Sequence, residues 1–429
     1  MSNLDSTKAA SAAQPKRKRR VWLWIVAVIG VIGLVLCGGL VVIPVVSPAT
    51  GAAVADDLRA IFGPEFVAQL ESASFKVQDT VNRARYQASG GQAQLSWDQS
   101  AVTTTLSIKR PNKVAPTPAP KTTKTDPKTT TTLQPLPATT VQSTAQSDYT
   151  VVTAPSPANL EWQPYGPLVN GEPVLARSFI NPDPDRPYAQ AALVRIDLSQ
   201  IQLHLMPGTV EPVASKPIPG LKRPGTIPTA DQSPDLLLAA FNGGFKAVHG
   251  HYGMMVDGTT LITPTDGLAT IALLPDGTVK VGEWGRDLAM QDNPVWYRQN
   301  CPLLVDEGQI NPHVVDENRK EWGYTVKNLD TTWRSGVGIT QDGQYLIYAA
   351  GNSLTVQSLA QALQQAGAYY AMQTDINGFY TRFVTYQPAD NAKATYPLVA
   401  NKLLKEMSGD PELFLHPYDR DFFYVTLKP

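Results

Sequence analysis

Two short polar clusters in this chain of 429 residues combine the residue types that proton transfer and anion binding require. One is Gln373-Thr374-Asp375-Ile376-Asn377-Gly378-Phe379, where a carboxylate, an amide and a glycine follow the apolar run Ala368–Met372. The other is Phe241-Asn242-Gly243-Gly244-Phe245, after the apolar run Leu236–Ala240. Asp375 has the chemistry for acid–base work or metal ligation, and a backbone such as Asn242–Gly244 can cradle a phosphate or a sugar oxygen. Between them stands Trp333-Arg334-Ser335-Gly336-Val337-Gly338. An arginine there can hold a phosphate oxygen in a bidentate fork or merely form a surface ion pair. Read by itself, Asp375–Gly378 favours a plain turn, and Asn242–Gly244 has a plain turn as its alternative.

Positioning these groups takes strands and one helix. Val337–Thr340 is apolar and β-branched, Gln341-Asp342-Gly343 reads as a turn, and Tyr345–Tyr348 resumes as a strand. Thr355 caps a predicted helix in which Leu359, Ala362, Leu363 and Ala366 recur at helical spacing, with Gly367 as its stop. Ala368–Met372 returns as a strand, so Asp375, Asn377 and Gly378 fall in the loop at its carboxyl end, where ligands bind in open α/β sheets. Upstream, strands are expected at Pro173–Ile180, Ala191–Asp197, Ile201–Met206, Leu236–Phe241, Gly253–Val256, Thr270–Leu274 and Thr278–Val281. Asp257-Gly258 and Asp276-Gly277 serve as hairpin turns. The expected fold class is α+β, a sheet-dominated mixed domain with a crossover helix, preceded by a transmembrane helix and a disordered linker.

Taken together, the three clusters resemble the phosphodiester glycosidase family, with its N-acetylglucosamine-1-phosphodiester alpha-N-acetylglucosaminidase-like domain. That family typically shows Asn-Gly-Gly-aromatic, then Arg-x-x-x-Gly before a strand, then Leu-Asp-Gly-Gly-Gly-Ser after a helix. The first is matched by Asn242–Phe245 and the second by Arg334–Gly338; the third survives only as Thr374–Phe379, without its run of glycines. The resemblance spans about Leu193 to Phe383. It implies hydrolysis of a sugar-1-phosphodiester in a surface or wall glycan, releasing the sugar and leaving a phosphomonoester. By position it implies Asp375 and Arg334 as catalytic residues, and Asn242, Gly243, Gly244, Phe245, Ser335, Asn377 and Gly378 as substrate contacts. The cofactor stays open, with a divalent metal at Asp375 as one option. Glycosidic cleavage usually uses a second carboxylate, and Asp306, Glu307, Asp330 and Asp257 are the candidates. His249 and His251 lack a third ligand and read as solvent-facing. A different class of function keeps the fold without the chemistry: a non-catalytic binder of surface polysaccharide, or an ectodomain with a vestigial pocket.

The remaining chain supplies context. Residues 1–20 end in the basic cluster Lys16–Arg20, and 21–46 form an apolar run without a charged side chain, roughly 39 Å long as a helix. That order predicts a single-pass cell-membrane anchor with the N-terminus cytoplasmic and the C-terminal domain extracellular. Its length exceeds that of a cleavable signal. Residues 47–110 read as a membrane-proximal module, 111–159 as a Pro- and Thr-rich linker unable to bury a core, and 160–429 as the glycosidase-like domain. Charged residues make up 17% and the net charge is −1, which argues against a nucleic-acid partner and leaves carbohydrate and membrane. Cys37 and Cys301 are the only cysteines, too few for a cysteine zinc site; Cys37 falls inside the expected membrane span and Cys301 outside it, so no disulfide between them is expected. Cys301 reads as the buried start of an apolar strand.

Overall fold

The computed structural model describes residues 57–59, 61–91, 97, 107–108, 160–166, 168–169, 171–317, 320–323, 325, 330–389 and 398–428. The expected anchor at 21–46 and the linker at 111–159 lie outside the described residues. Among the described residues no helix is long and apolar enough to cross a membrane.

Sheet dominates, as the alternating and β-branched runs require, beside the α-helices Pro64–Ala88 and Val356–Gln365. An eight-stranded antiparallel sheet carries, in order, Gln309–Ile310, Val305–Asp306, Ala368–Asp375, Thr332–Thr340, Tyr345–Leu354, Ala191–Asp197, Leu175–Ile180 and Gln163–Pro164. Thr332–Thr340 lies between Tyr345–Leu354 and Ala368–Asp375, so the helix Val356–Gln365 carries the chain across it. Thr355 caps that helix by accepting from the Ser358 amide at 3.0 Å, while Ser358 Oγ accepts from the Thr355 amide at 2.8 Å. Leu359, Ala362 and Leu363 are buried on its inner face, and Gly367, at φ +98°, ends it. The crossover thereby delivers Asp375 as the last residue of a central strand, opposite Ser335.

A second antiparallel sheet orders Leu398–Lys402, Phe383–Pro388, Leu237–Asn242, Phe422–Leu427 and Ile201–Met206. A third contains the hairpin Met254–Val256/Thr259–Ile262, turned at Asp257-Gly258, and the hairpin Ala269–Leu273/Val279–Glu283, both joined to Trp296–Asn300. The sheets meet on one aromatic core. Phe241 stacks on Phe383 (5.7 Å, 2°) and Phe423 (5.2 Å, 23°) and packs against Tyr348 of the large sheet (5.4 Å). Asn242 follows Phe241 directly, so it stands where two sheets converge. Cys301, expected to open a strand, instead follows the strand Trp296–Asn300; it is a free, buried thiol.

The residues expected to form a separate membrane-proximal module are bonded to this domain. The helix Pro64–Ala88 starts after Gly63, at φ +85°. Its Ser72 donates to Asp330 at 2.7 Å and its Asn82 to Ser353 at 2.8 Å, while Asp79 accepts from the Tyr188 hydroxyl at 2.6 Å. The Arg177 guanidinium lies 4.5 Å from the Trp97 ring, and Ser107–Ile108 pairs in parallel with Leu168–Val169.

Candidate functional site

The site is built on the end of strand Leu237–Asn242, which is flanked by the starts of two antiparallel strands. On one side Arg382 precedes Phe383, and the Asn242 amide donates to the Arg382 carbonyl at 3.1 Å. On the other, Arg420 and Asp421 precede Phe422, and the Gly243 amide donates to the Asp421 carbonyl at 3.0 Å. The ladder therefore sets an arginine to either side of the Asn242–Gly244 loop.

The Asn242 side chain ties the two sheets together. Its Nδ2 donates to Ser335 Oγ (3.1 Å), Thr374 Oγ1 (3.2 Å) and the Gly243 carbonyl (3.1 Å). Its Oδ1 accepts from the Tyr348 hydroxyl and the Arg382 amide, both at 3.0 Å. Ser335 and Thr374 hydroxyls are 2.8 Å apart, and the Asp375 amide donates to Ser335 Oγ at 3.3 Å. Asn242, Ser335 and the Asp375 backbone thus meet in one hydrogen-bonded cluster, whereas the sequence motifs group Arg334 with Asn242 and Asp375. However, the Asn242 amide is fully engaged inside the protein rather than turned toward a sugar.

Asp375 is 3% exposed. Its Oδ1 accepts from the amides of Ile376 (2.8 Å) and Asn377 (2.9 Å), and its Oδ2 from Arg420 Nη2 at 3.1 Å. Burial pushes the Asp375 carboxyl above its ordinary range, while Arg420 and the two amides pull it back down. Arg420 also donates to the Gly244 carbonyl at 2.9 Å, and its guanidinium sits 4.0 Å from the ring of half-buried Tyr380.

Arg334 goes elsewhere. Side chains alternate along a strand, so Ser335 faces Asn242 and Arg334 faces the opposite side. There it donates to the carbonyls of Leu354 (3.1 Å), Trp322 (3.3 Å) and Asp330 (3.5 Å) and to Gln373 Oε1 (2.9 Å). It is wholly buried, and burial lowers its pKa to about 10. The structure therefore replaces the expected phosphate fork at Arg334 with an internal brace.

The other expected contacts divide similarly. Phe245 is buried against Tyr252, at 6.0 Å. Asn377 accepts from the Phe379 amide at 2.9 Å, shaping the Asp375 loop, and the Gly378 carbonyl accepts from Ser408 at 2.7 Å. Of the candidate second carboxylates, Asp306 pairs with Arg286 at 2.6 Å and Asp330 accepts from Ser72. Asp257 and Glu307 occupy turns at φ +48°. None of the four bonds to Asp375 or Asn242. His249 and His251 are exposed, and among the described residues no group of three or more His, Cys, Asp or Glu could hold a metal.

With this geometry in place, comparison with known proteins identifies the segment. Residues 236–392 match the phosphodiester glycosidase family. The matched phosphodiester glycosidase segment contains Asn242, Arg298, Ser335, Asp375 and Arg382, and it ends before Arg420 and Asp421. In structure the chain is similar to the catalytic domain of zebrafish N-acetylglucosamine-1-phosphodiester alpha-N-acetylglucosaminidase auto-inhibited by its pro-peptide. The identity there is 15% and the TM-score 0.38, over 63% of this chain and 88% of that one. A hypothetical protein from Synechocystis is similar at 13% identity and TM-score 0.37, over 63% of this chain and 64% of that one. No curated protein matches the sequence.

Sequence reasoning missed Arg298, Arg382, Arg420 and Asp421. Asp421 Oδ2 accepts from Arg298 Nε at 2.8 Å and from the Gly244 amide at 3.1 Å. The one local signal was Arg420-Asp421 standing directly before the apolar strand Phe422–Leu427, with charge at a strand start much like that at Arg334.

Proposed function

We propose that this protein hydrolyses a sugar-1-phosphodiester in a surface or wall glycan, at the outer face of a membrane to which residues 21–46 anchor it. The observation that carries the reading is the Asp375 carboxylate beside the Asn242–Gly244 loop, both within the matched segment, with Arg420 bound to it from beyond that segment. Two backbone amides fix the orientation of Asp375 through Oδ1, so Oδ2, held by Arg420, is the oxygen that would act as general base. Asp375 would take a proton from the attacking water as the bond from the anomeric carbon to the phosphate oxygen breaks. The leaving group is then a phosphomonoester, whose second pKa is about 6, so it departs without a strong proton donor. A single carboxylate suffices for such a reaction, in keeping with the four other candidates lying elsewhere. The test is hydrolysis of a panel of sugar-1-phosphodiesters by the purified chain, with and without a divalent metal. Protease added to intact cells should remove the domain and leave a membrane-embedded stub.

A second reading is favoured by the near-complete burial of Asp375 and by its glycine-poor loop. It is a polysaccharide binder without turnover. Glycan retention by a chain that hydrolyses none of the panel would select it.

A further inference from the structure

We propose that Arg382 and Arg420 form a two-arginine recess that seats the phosphate of the substrate, with Tyr380 and Tyr418 as its walls. The ligand class rests on the phosphodiester reading above; the place rests on the two arginines. They leave the starts of the two strands that flank Leu237–Asn242, so the ladder fixes them on either side of the Asn242–Gly244 loop. Both are more than nine-tenths buried, with 3% and 4% exposed, and in each the Nε–H is buried without a hydrogen-bond partner.

The hydrogen bonds of Arg420 all leave from Nη2, to Gly244 and Asp375. Those of Arg382 also leave from Nη2, to the carbonyls of Phe379 (3.4 Å) and Ser408 (2.5 Å). No described carboxylate forms an ion pair with Arg382; Asp410 acts on it only at longer range. A buried cation without a counterion is costly, and an unmet N–H adds to that cost. A phosphate group supplies negative charge and several acceptor oxygens, and arginine recognises it through charge-assisted hydrogen bonds. Interior bracing is the competing account of Arg382, whose guanidinium also lies 6.0 Å from the Phe414 ring. Bracing explains its Nη2 bonds and leaves Nε unexplained.

Two further observations join the arginines into one site. Arg382 donates to the carbonyl of Phe379, the residue before Tyr380, and both guanidinium groups lie within electrostatic range of the Tyr418 hydroxyl. Arg420 also stacks at 4.0 Å on Tyr380, whose partial exposure gives the recess a way out to solvent. Tyr380 in turn donates its amide to the Asn377 carbonyl at 2.9 Å, which ties the recess wall to the Asp375 loop. Arg420 then serves both groups, holding Asp375 through Nη2 and offering its remaining N–H donors to the phosphate.

The probe is inorganic phosphate, titrated calorimetrically into the purified full chain. Saturable binding is expected, weakened by about tenfold or more in Arg420→Gln and in Arg382→Gln, with Arg382→Lys recovering part of the loss. Melting without phosphate checks that each variant folds. Should a variant fail to fold, the arginine Nε–H resonances of the wild-type chain provide the second readout, and those of both residues should shift during the titration. No saturable binding, unchanged affinity in folded variants, or unmoved Nε–H resonances would each overturn the recess. Phosphate binding lost in the variants, with no diester hydrolysed by the wild type, would leave the recess standing and remove the hydrolase reading. Diester hydrolysis that both variants retain in full would do the reverse.

Discussion

Asp421 and Arg298 form an ion pair at 2.8 Å beneath the Asn242–Gly244 loop, with 0% and 1% of their side chains exposed. The pair accounts for the two glycines. A Cβ on Gly243 would overlap the Asp421 carboxylate, and one on Gly244 would come within 2.8 Å of the Arg298 guanidinium. Neither glycine has a positive φ, so close packing and not turn conformation excludes a side chain here. The loop that resembles a ligand cradle is thus clamped from below, by Asp421 accepting the Gly244 amide and by Arg298 donating to the Phe245 carbonyl at 2.6 Å.

Breaking that pair from one side should be costly. Asp421→Asn leaves the Arg298 charge buried without its counterion and should destabilise the domain by about 3–5 kcal/mol. Urea unfolding of the purified chain measures it. A loss under about 1 kcal/mol would mean that the loop is held by something other than this pair.

Gly244→Ala should act through the same clamp. Its added methyl group must push the Arg298 guanidinium aside, and overpacking of this kind costs about 1–3 kcal/mol. The double variant Gly244→Ala/Asp421→Asn should cost less than the sum of the two singles, because the guanidinium, although still bonded to the carbonyls of Phe245 and Gln299, has lost the carboxylate that holds its Nε. Strict additivity in a double-mutant cycle would refute the shared mechanism.

Much of the scaffold was legible because its signals are local. The Thr355 cap, the Gly367 stop, the Asp257-Gly258 turn and the strands Ala191–Asp197 and Ile201–Met206 follow from periodicity and turn chemistry within a few residues. The same crossover logic put Asp375 in the loop just beyond Ala368–Met372, and the strand in fact runs on to Asp375 itself. The arginines were not legible, because their position depends on long-range register. Phe422 pairs with Asn242, and no pattern near Asn242 announces that strand as its neighbour. Arg334 misled for the complementary reason. It has the right spacing in sequence, but strand alternation turns it to the face opposite Ser335.

Arg334 and Arg420 should therefore separate cleanly by experiment. Arg334→Met removes donors from three carbonyls and from Gln373, and charged hydrogen bonds of this kind contribute about 1.5–3 kcal/mol each. Denaturation should show a loss of at least about 2 kcal/mol, while the phosphate affinity of the folded fraction stays that of the wild type. A specific loss of phosphate affinity at unchanged stability would restore Arg334 to the site.

His204 gives a pH dependence outside the site. Its ring stacks on Tyr424 (4.4 Å, 10°), and its Nε2 lies 2.8 Å from Thr426 Oγ1. Burial holds its pKa below the ordinary 6.5, against weaker upward pulls from Asp231 and Asp257. The unfolded chain therefore binds more protons than the folded one once the pH falls below 6.5, so the contribution is intact above that value and is lost on acidification. His204→Phe keeps the stack and removes the titration. Its urea midpoint should fall less steeply than that of the wild type between pH 7 and 5; parallel slopes would contradict the assignment.

Asp375→Asn is the test of chemistry. The amide keeps an oxygen for Ile376 and Asn377 but cannot accept a proton from water, so kcat should fall by about 100- to 10,000-fold. KM should move much less if phosphate seating resides in the arginines, since the substitution leaves their charges in place. The wild-type rate should rise with pH through the Asp375 ionisation, because the base acts only when ionised. That acid limb should lie above the ordinary value of 3.8, because burial outweighs the pull of Arg420. In Asp375→Asn the limb should vanish along with the rate. Turnover and pH profile both unchanged in this variant would mean that another group carries the proton, and the role given to Asp375 would fall while the two-arginine recess remained open to its own test.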